Sequence, residues 1–154
     1  MKILIKVVIL LGLVIGKVSF ANDQAQQQLE QHIADNQGKV IYIDFWASWC
    51  KPCRKSFPWM NEMKAKYEAQ GFVILSVNLD AERKFASEFL AEIPADFTVI
   101  YDPKGITARK LKVKGMPSSY MVNKEGNIVS THRGFNSDKK ISFEKEIIEL
   151  LSDK

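Results

Sequence analysis

The most constraining stretch of this 154-residue sequence is Asp44-Phe45-Trp46-Ala47-Ser48-Trp49-Cys50-Lys51-Pro52-Cys53, where an apolar run meets two cysteines three positions apart. Val40 to Trp46 is apolar and β-branched, broken only by Asp44, and reads as a buried strand. From Lys51 the pattern turns helical. Phe57, Met60, Met63, Ala65 and Tyr67 share broad faces, Gly71 stops the run, and Pro58 inside it predicts a kink. A strand feeding directly into a helix, with reactive residues at the joint, points to an α/β chain.

The rest of the pattern agrees. Asp23 to Asn36 is polar and Gln-rich with Ala25, Leu29, Ile33 and Ala34 at helical spacing, a surface helix ended by Gly38. Phe72 to Leu79 reads as a second buried strand, and Ala81 to Ala91 as a helix with Phe85, Phe89 and Leu90 inward. Phe97 to Tyr101 is a short strand before an Asp102-Pro103-Lys104-Gly105 turn, and Thr107 to Leu111 is at most a short helix. Ser119 to Asn123 and Asn127 to Arg133 form a hairpin through Lys124-Glu125-Gly126. A last helix is capped by Ser137 or Asp138, with Ile141, Phe143, Ile147, Ile148 and Leu150 apolar. The strand-helix-strand start requires a right-handed crossover and a parallel pair, whereas the closing hairpin is antiparallel. The expected architecture is a central mixed parallel/antiparallel sheet with helices on both faces.

The cysteine spacing has a physical logic. Cys50 falls at a helix N-terminus, where unpaired amides and the helix dipole favour an anion and lower a thiol pKa from about 8.5. It is expected to be exposed and nucleophilic, with Cys53 one turn later, more buried, as the resolving thiol. Pro52 at an early helical position loses no backbone bond, and Lys51 adds a cation that favours the thiolate. A structural disulfide across so small a loop contributes only about 2 kcal/mol. A structural zinc site wants four ligands, and only His32 and His132 are available besides the two cysteines. The preceding strand, the following helix and the flanking tryptophans favour redox chemistry over metal binding.

The N-terminus has the three parts of an export signal. Lys2 and Lys6 give a positive start, Val7 to Ile15 is apolar apart from Gly12, and Ser19-Phe20-Ala21 offers small residues for cleavage. Residues 1–21 are therefore expected to be a cleavable signal peptide, with an uncleaved anchor as the alternative. Formal net charge is +4, but three lysines lie within those residues and no acid does, so 19 basic against 18 acidic residues leave +1 beyond them. That near balance gives no support for nucleic-acid binding. Export implies an oxidising compartment such as a bacterial periplasm.

The Trp-Cys-x-x-Cys stretch between strand and helix resembles the active-site motif of the thioredoxin superfamily. The wording Trp46-Ala47-Ser48-Trp49-Cys50-Lys51-Pro52-Cys53 is most similar to its exported TlpA/ResA-type branch. Val113-Lys114-Gly115-Met116-Pro117-Ser118, about 65 residues downstream, resembles the superfamily's cis-proline loop, followed by its hairpin. The resemblance spans about residues 38–151. It implies a thioredoxin-like domain over 38–154, with residues 22–37 as an N-terminal helical extension.

Carried over by position, the resemblance makes Cys50 the attacking thiol, Cys53 the resolving thiol and Pro117 the cis-proline, with the Met116 backbone turned toward the disulfide to receive a substrate strand. Trp49, Lys51, Pro52, Met116 and Pro117 then form the substrate-binding rim. Asp44 matches the buried acid of thioredoxin, whose raised pKa lets it take a proton from Cys53. Two positions depart from the pattern. Ser76 stands where thioredoxin has a lysine near that acid. Ala81, flanked by Asp80 and Glu82, stands where cytochrome-maturation relatives place a glutamate.

The expected activity is thiol:disulfide exchange with protein substrates, more as reductant than oxidant, with cytochrome c maturation among the roles the branch implies. No cofactor is implied beyond the Cys50–Cys53 pair, and no metal ligands are assigned. A membrane thiol carrier would recycle the protein, which is expected to be a monomer that binds no nucleic acid. The alternative is a Cu(I) chaperone using the same two thiolates, although copper chaperones of this fold use Cys-x-x-x-Cys with a later histidine. Lys51, Arg54 and Lys55 read as a solvated basic rim, His132 as a surface histidine, and at least one of Trp46, Trp49 and Trp59 as core.

Overall fold

A computed structural model describes residues 24–153. The signal-peptide expectation lies outside these residues. The elements run α1 Gln24–Asp35, β1 Val40–Trp46, α2 Lys51–Tyr67, β2 Phe72–Asn78, α3 Arg83–Glu92, β3 Thr98–Tyr101, α4 Ile106–Lys110, β4 Ser118–Val122, β5 Ile128–Arg133 and α5 Ser137–Ser152. The sheet order is β3-β2-β1-β4-β5. β1 runs parallel to β2, as β2 does to β3, while β4 is antiparallel to both β1 and β5. The mixed sheet expected from the hydrophobic pattern is present.

Alternation along β1 sorts the core into two layers. Val40, Tyr42 and Trp46 face one side, with Phe57, Met60 and Met63 of α2, Phe89 of α3 and Phe143 and Ile147 of α5. Ile41, Ile43 and Phe45 face the other, with Ala25 and Leu29 of α1 and Ala108 of α4. Helices cover both faces, so every residue of β1 is buried, which explains its nearly unbroken apolar sequence. β5 lies at the edge, and only its alternate residues are partly covered.

Several boundaries differ from expectation. Leu79 lies beyond β2, its amide bonding the Trp46 carbonyl at 2.9 Å. α3 starts at Arg83, which places Ala86 and Phe89 inward and leaves Phe85 exposed under the Lys84 ammonium. β4 begins one residue earlier than read, at Ser118. The cap of α5 is Asn136, whose side chain accepts from Lys139 N at 3.0 Å, so Asp138 sits in the first turn where the helix dipole favours an acid. α2 continues through Pro58 for 17 residues and is followed by a 3-10 turn, Glu68–Gln70. Gly71, at φ 92°, supplies the left-handed geometry that turns the chain into β2.

Candidate active site

The end of β1 and the start of α2 hold the two cysteines as a disulfide, with S–S 2.02 Å and Cα–Cα 5.3 Å. Cys50 is the N-cap of α2, extended at φ −80° and ψ 100°, and its sulfur accepts from Cys53 N at 3.3 Å. Lys51 and Pro52 occupy the first helical positions, so the missing Pro52 amide leaves no bond unmade. The Cys53 amide at the helix start therefore donates to the position where a Cys50 thiolate would form.

Cys50 is less open than expected. It is 4% exposed in the disulfide form, because its sulfur folds back over the helix start and Met116 packs against the same cluster. Cys53 is fully buried, so the order of accessibility within the pair follows the sequence reading. Trp49 stands beside the pair 70% exposed, whereas Trp46 and Trp59 are both core. Lys51 and Pro52 are exposed on the first turn of α2. The Met116-Pro117 peptide bond is cis, and Gly134 N donates to the Pro117 carbonyl at 2.8 Å, tying the loop after β5 to this one.

Asp44 is fully buried on the α2 side of β1, in the alternation that includes Tyr42 and Trp46. Ser76 of β2 and Ser119 of β4 lie opposite it. Neither carboxyl oxygen of Asp44 has a hydrogen-bond partner among the described residues. Burial pushes its carboxyl well above the usual carboxylate range. Burial also raises the neighbouring Tyr42 hydroxyl, the Asp44 charge adds to that effect, and a hydrogen bond with Ser119 opposes it.

The sequence reading named Asp80 only as a flank of Ala81 and gave it no role, yet it holds the segment that leads to Cys50. Asp80, just beyond β2, is buried. It accepts from Ser48 N at 3.0 Å, Ser48 Oγ at 2.8 Å and Asn78 Nδ2 at 2.8 Å, while its own amide donates to Asn78 Oδ1 at 3.1 Å. Its signal was a cluster of polar residues at the carboxyl end of an apolar parallel strand, the end where α/β sheets place their sites. Arg54 belongs less to the open rim than expected, since it pairs with Glu92 and lies over Phe89. His132 is half-buried, stacked on Phe143 at 4.2 Å and 2.7 Å from Glu146 Oε2, so it ties β5 to α5. Among the described residues no group of three or more His, Cys, Asp or Glu side chains is placed to hold a metal ion.

Comparison with known proteins places this geometry. The Redoxin family profile matches residues 17–147. The chain is similar to the thiol-disulfide oxidoreductase ResA of Oceanobacillus iheyensis, 30% identical over 118 residues that cover 75% of this chain and 62% of the relative. It is 28% identical to ResA of Bacillus subtilis over 109 residues, covering 71% and 61%. The chain thus spans less than two thirds of the length of these curated relatives. Among solved structures, a Chlorobium tepidum protein assigned as thiol:disulfide interchange protein DsbE is 51% identical. It superposes with a TM-score of 0.76 over 78% of this chain and 85% of that one. With its Cys50–Cys53 disulfide at the start of α2 and its thioredoxin-like sheet, the chain belongs to the Redoxin family of the thioredoxin superfamily.

Proposed function

We propose that the protein is an exported thiol:disulfide oxidoreductase that reduces disulfides in protein substrates. The observation that carries this reading is the Cys50–Cys53 disulfide at the N-cap of α2, beside the Met116-Pro117 loop. In the reduced protein the Cys50 thiolate, favoured by the helix start and Lys51, attacks one sulfur of a substrate disulfide. A mixed disulfide forms and the other substrate sulfur leaves as a thiolate. Cys53 then gives its proton to Asp44 and attacks the Cys50 sulfur, releasing the second substrate thiolate and closing the Cys50–Cys53 disulfide. The substrate gains two electrons and the protein dithiol loses two, so a reduced partner must restore it.

Trp49, Lys51, Pro52, Met116 and Pro117 frame the approach of the substrate. The Asp44 role rests on its burial and on the absence of a partner for its oxygens, which raise its pKa and make its carboxylate form the stronger base that takes the Cys53 proton. Similarity to proteins named ResA and DsbE supports the thiol:disulfide chemistry and, as a finer proposal, a place in cytochrome c maturation. The expected recycling partner is a membrane thiol carrier, and the expected compartment is the periplasm, entered after cleavage following Ala21.

The deciding experiment is the reduction potential of the Cys50/Cys53 couple, measured beside insulin reduction. A potential near −270 mV with insulin turnover supports the reductant, whereas one near −120 mV marks an oxidant. N-terminal sequencing of the exported protein tests the localisation, with Asn22 as the expected first residue.

A further inference from the structure

The cations of this molecule are unevenly satisfied. Lys64, Lys66, Lys84, Lys110 and Lys145 each pair with a glutamate, and Arg54, next to Cys53, is neutralised by Glu92, whereas the exposed Lys39, Arg83, Lys104 and Arg109 take part in no ion pair among the described residues. Lys51, Lys55, Lys112, Lys114, Arg133 and Lys140 are all exposed, and none takes part in an ion pair among the described residues.

Packing gathers these six residues around one end of the fold. Lys51 and Lys55 share one face of the first turns of α2, two positions before and after Cys53. Lys112 and Lys114 lead into Met116, which packs against the cluster containing Cys50 and Cys53. Arg133 stands opposite Ser118 in the β4–β5 register, next to Pro117, and Gly134 bonds the Pro117 carbonyl. Lys140 Nζ lies 5.9 Å from the Phe135 ring centroid, and that ring packs on Trp59 of α2 at 5.3 Å. Nearby acids do not cancel them. Asp80 is buried and held by Ser48 and Asn78, Glu82 pairs with Lys84, and the one exposed acid of the α5 first turn, Asp138, is outnumbered by the six cations. The exposed Trp49 ring gives the area an apolar centre, so an aromatic anchor is ringed by like charges.

We infer that this collar is a docking surface for protein segments rich in Asp and Glu, so that thiols and disulfides flanked by acidic residues are the preferred substrates. The inference deepens the oxidoreductase reading and rests on it. The near balance of charge beyond residue 21 hides the collar, because it arises from where these cations stand in the fold and not from their number. Charges around a rim act mainly on encounter rate and partner choice.

Three synthetic peptides with one identical disulfide loop and acidic, neutral or basic flanks test this. The second-order rate of their reduction by the reduced protein is measured at low ionic strength and near 1 M salt, where the screening length falls to about 3 Å. The acidic peptide is expected to react about tenfold faster than the neutral one at low salt, the basic peptide more slowly, and all three are expected to converge at high salt. Lys114→Glu with Lys140→Glu should bring the acidic-to-neutral ratio to about one, and Lys114→Gln with Lys140→Gln should lower it part of the way. Equal rates for the three peptides at low salt, or an acidic preference unchanged near 1 M salt, overturn the docking surface while leaving the oxidoreductase intact. Absence of exchange with every peptide overturns the oxidoreductase reading and the docking surface with it.

Discussion

Ser76 lies directly across the parallel β1–β2 pair from Asp44, yet its hydroxyl bonds Trp46 Nε1 and the Thr98 carbonyl, both at 3.2 Å, and not the carboxyl group. One of the two serines opposite Asp44 is thus committed elsewhere. Both carboxyl oxygens have no partner, and burial alone sets the group's acidity.

A stability signature follows from that raised pKa. The folded protein holds the Asp44 proton to higher pH than the unfolded chain, whose aspartates titrate near 3.9. Stability from this group is greatest at low pH and is lost as pH rises through the folded-state value. Asp44→Asn removes the slope. The variant should gain on the wild type as pH increases, by on the order of 1 kcal/mol or more at pH 8, in denaturant titrations across pH 4 to 9. If Asp44 takes the Cys53 proton, the same variant should resolve a preformed mixed disulfide about 100-fold more slowly in single-turnover experiments. A wild-type resolution rate across pH 6 to 9 would show that the acid is not a proton acceptor.

The two cysteines are expected to fail differently. Cys50→Ser should abolish exchange, because the sulfur at the helix N-cap that accepts from the Cys53 amide is gone. Cys53→Ser should instead accumulate mixed disulfides on Cys50, visible as mass additions that reducing agent removes. Alkylation of the reduced wild type at limiting reagent should label Cys50 first. Preferential labelling of Cys53 would reverse the assignment.

Asp80→Ala should cost about 2–3 kcal/mol, since it leaves the buried amide of Asn78 and the part-buried donors of Ser48 without their acceptor. Ser48→Ala removes a single hydroxyl bond and should cost about 1 kcal/mol. Because Ser48 lies two residues before Cys50, Asp80→Ala should also change the alkylation rate of reduced Cys50 more than Ser48→Ala does. Equal alkylation rates in both variants and the wild type would confine Asp80 to stability.

Phe143 of α5 touches Tyr42, Trp59, Phe135 and His132 at ring separations of 4.2–6.5 Å. Phe143→Ala should cost about 3–5 kcal/mol by denaturant unfolding, the usual range for a buried aromatic. Loss of the same ring should loosen Phe135 and with it the segment that bonds Pro117, so proteolysis near Gly134 is expected to accelerate. An unchanged unfolding midpoint would show that α5 is docked by other contacts.

The element order, the mixed sheet and the joint bearing Cys50 and Cys53 were legible in the residue pattern. These follow from local rules: the period of the apolar residues, the turn residues between them, and the chemistry of thiols at a helix start. Asp44 was also legible, because a lone acid in an apolar strand is conspicuous before any folding is considered. Helix ends were less so. Asn136 took the cap in place of Ser137 or Asp138, and Phe85 turned outward, because several residues could serve locally and packing selected among them.

What only the tertiary structure decided lies in contacts between residues far apart in the chain. Asp80 meets Ser48 across 32 positions, and nothing near either residue announces the other. His132 is drawn inward by Phe143 and Glu146 of a helix not yet formed when the strand is read. The charge collar is decided in the same way. Each cation is ordinary alone, and only folding shows which ones find a glutamate and which ones stand exposed at the end of the sheet that carries the disulfide. Local periodicity fixes which face of an element is buried, but the partner of a polar group depends on distances that exist only after the sheet has closed and the helices have docked upon it.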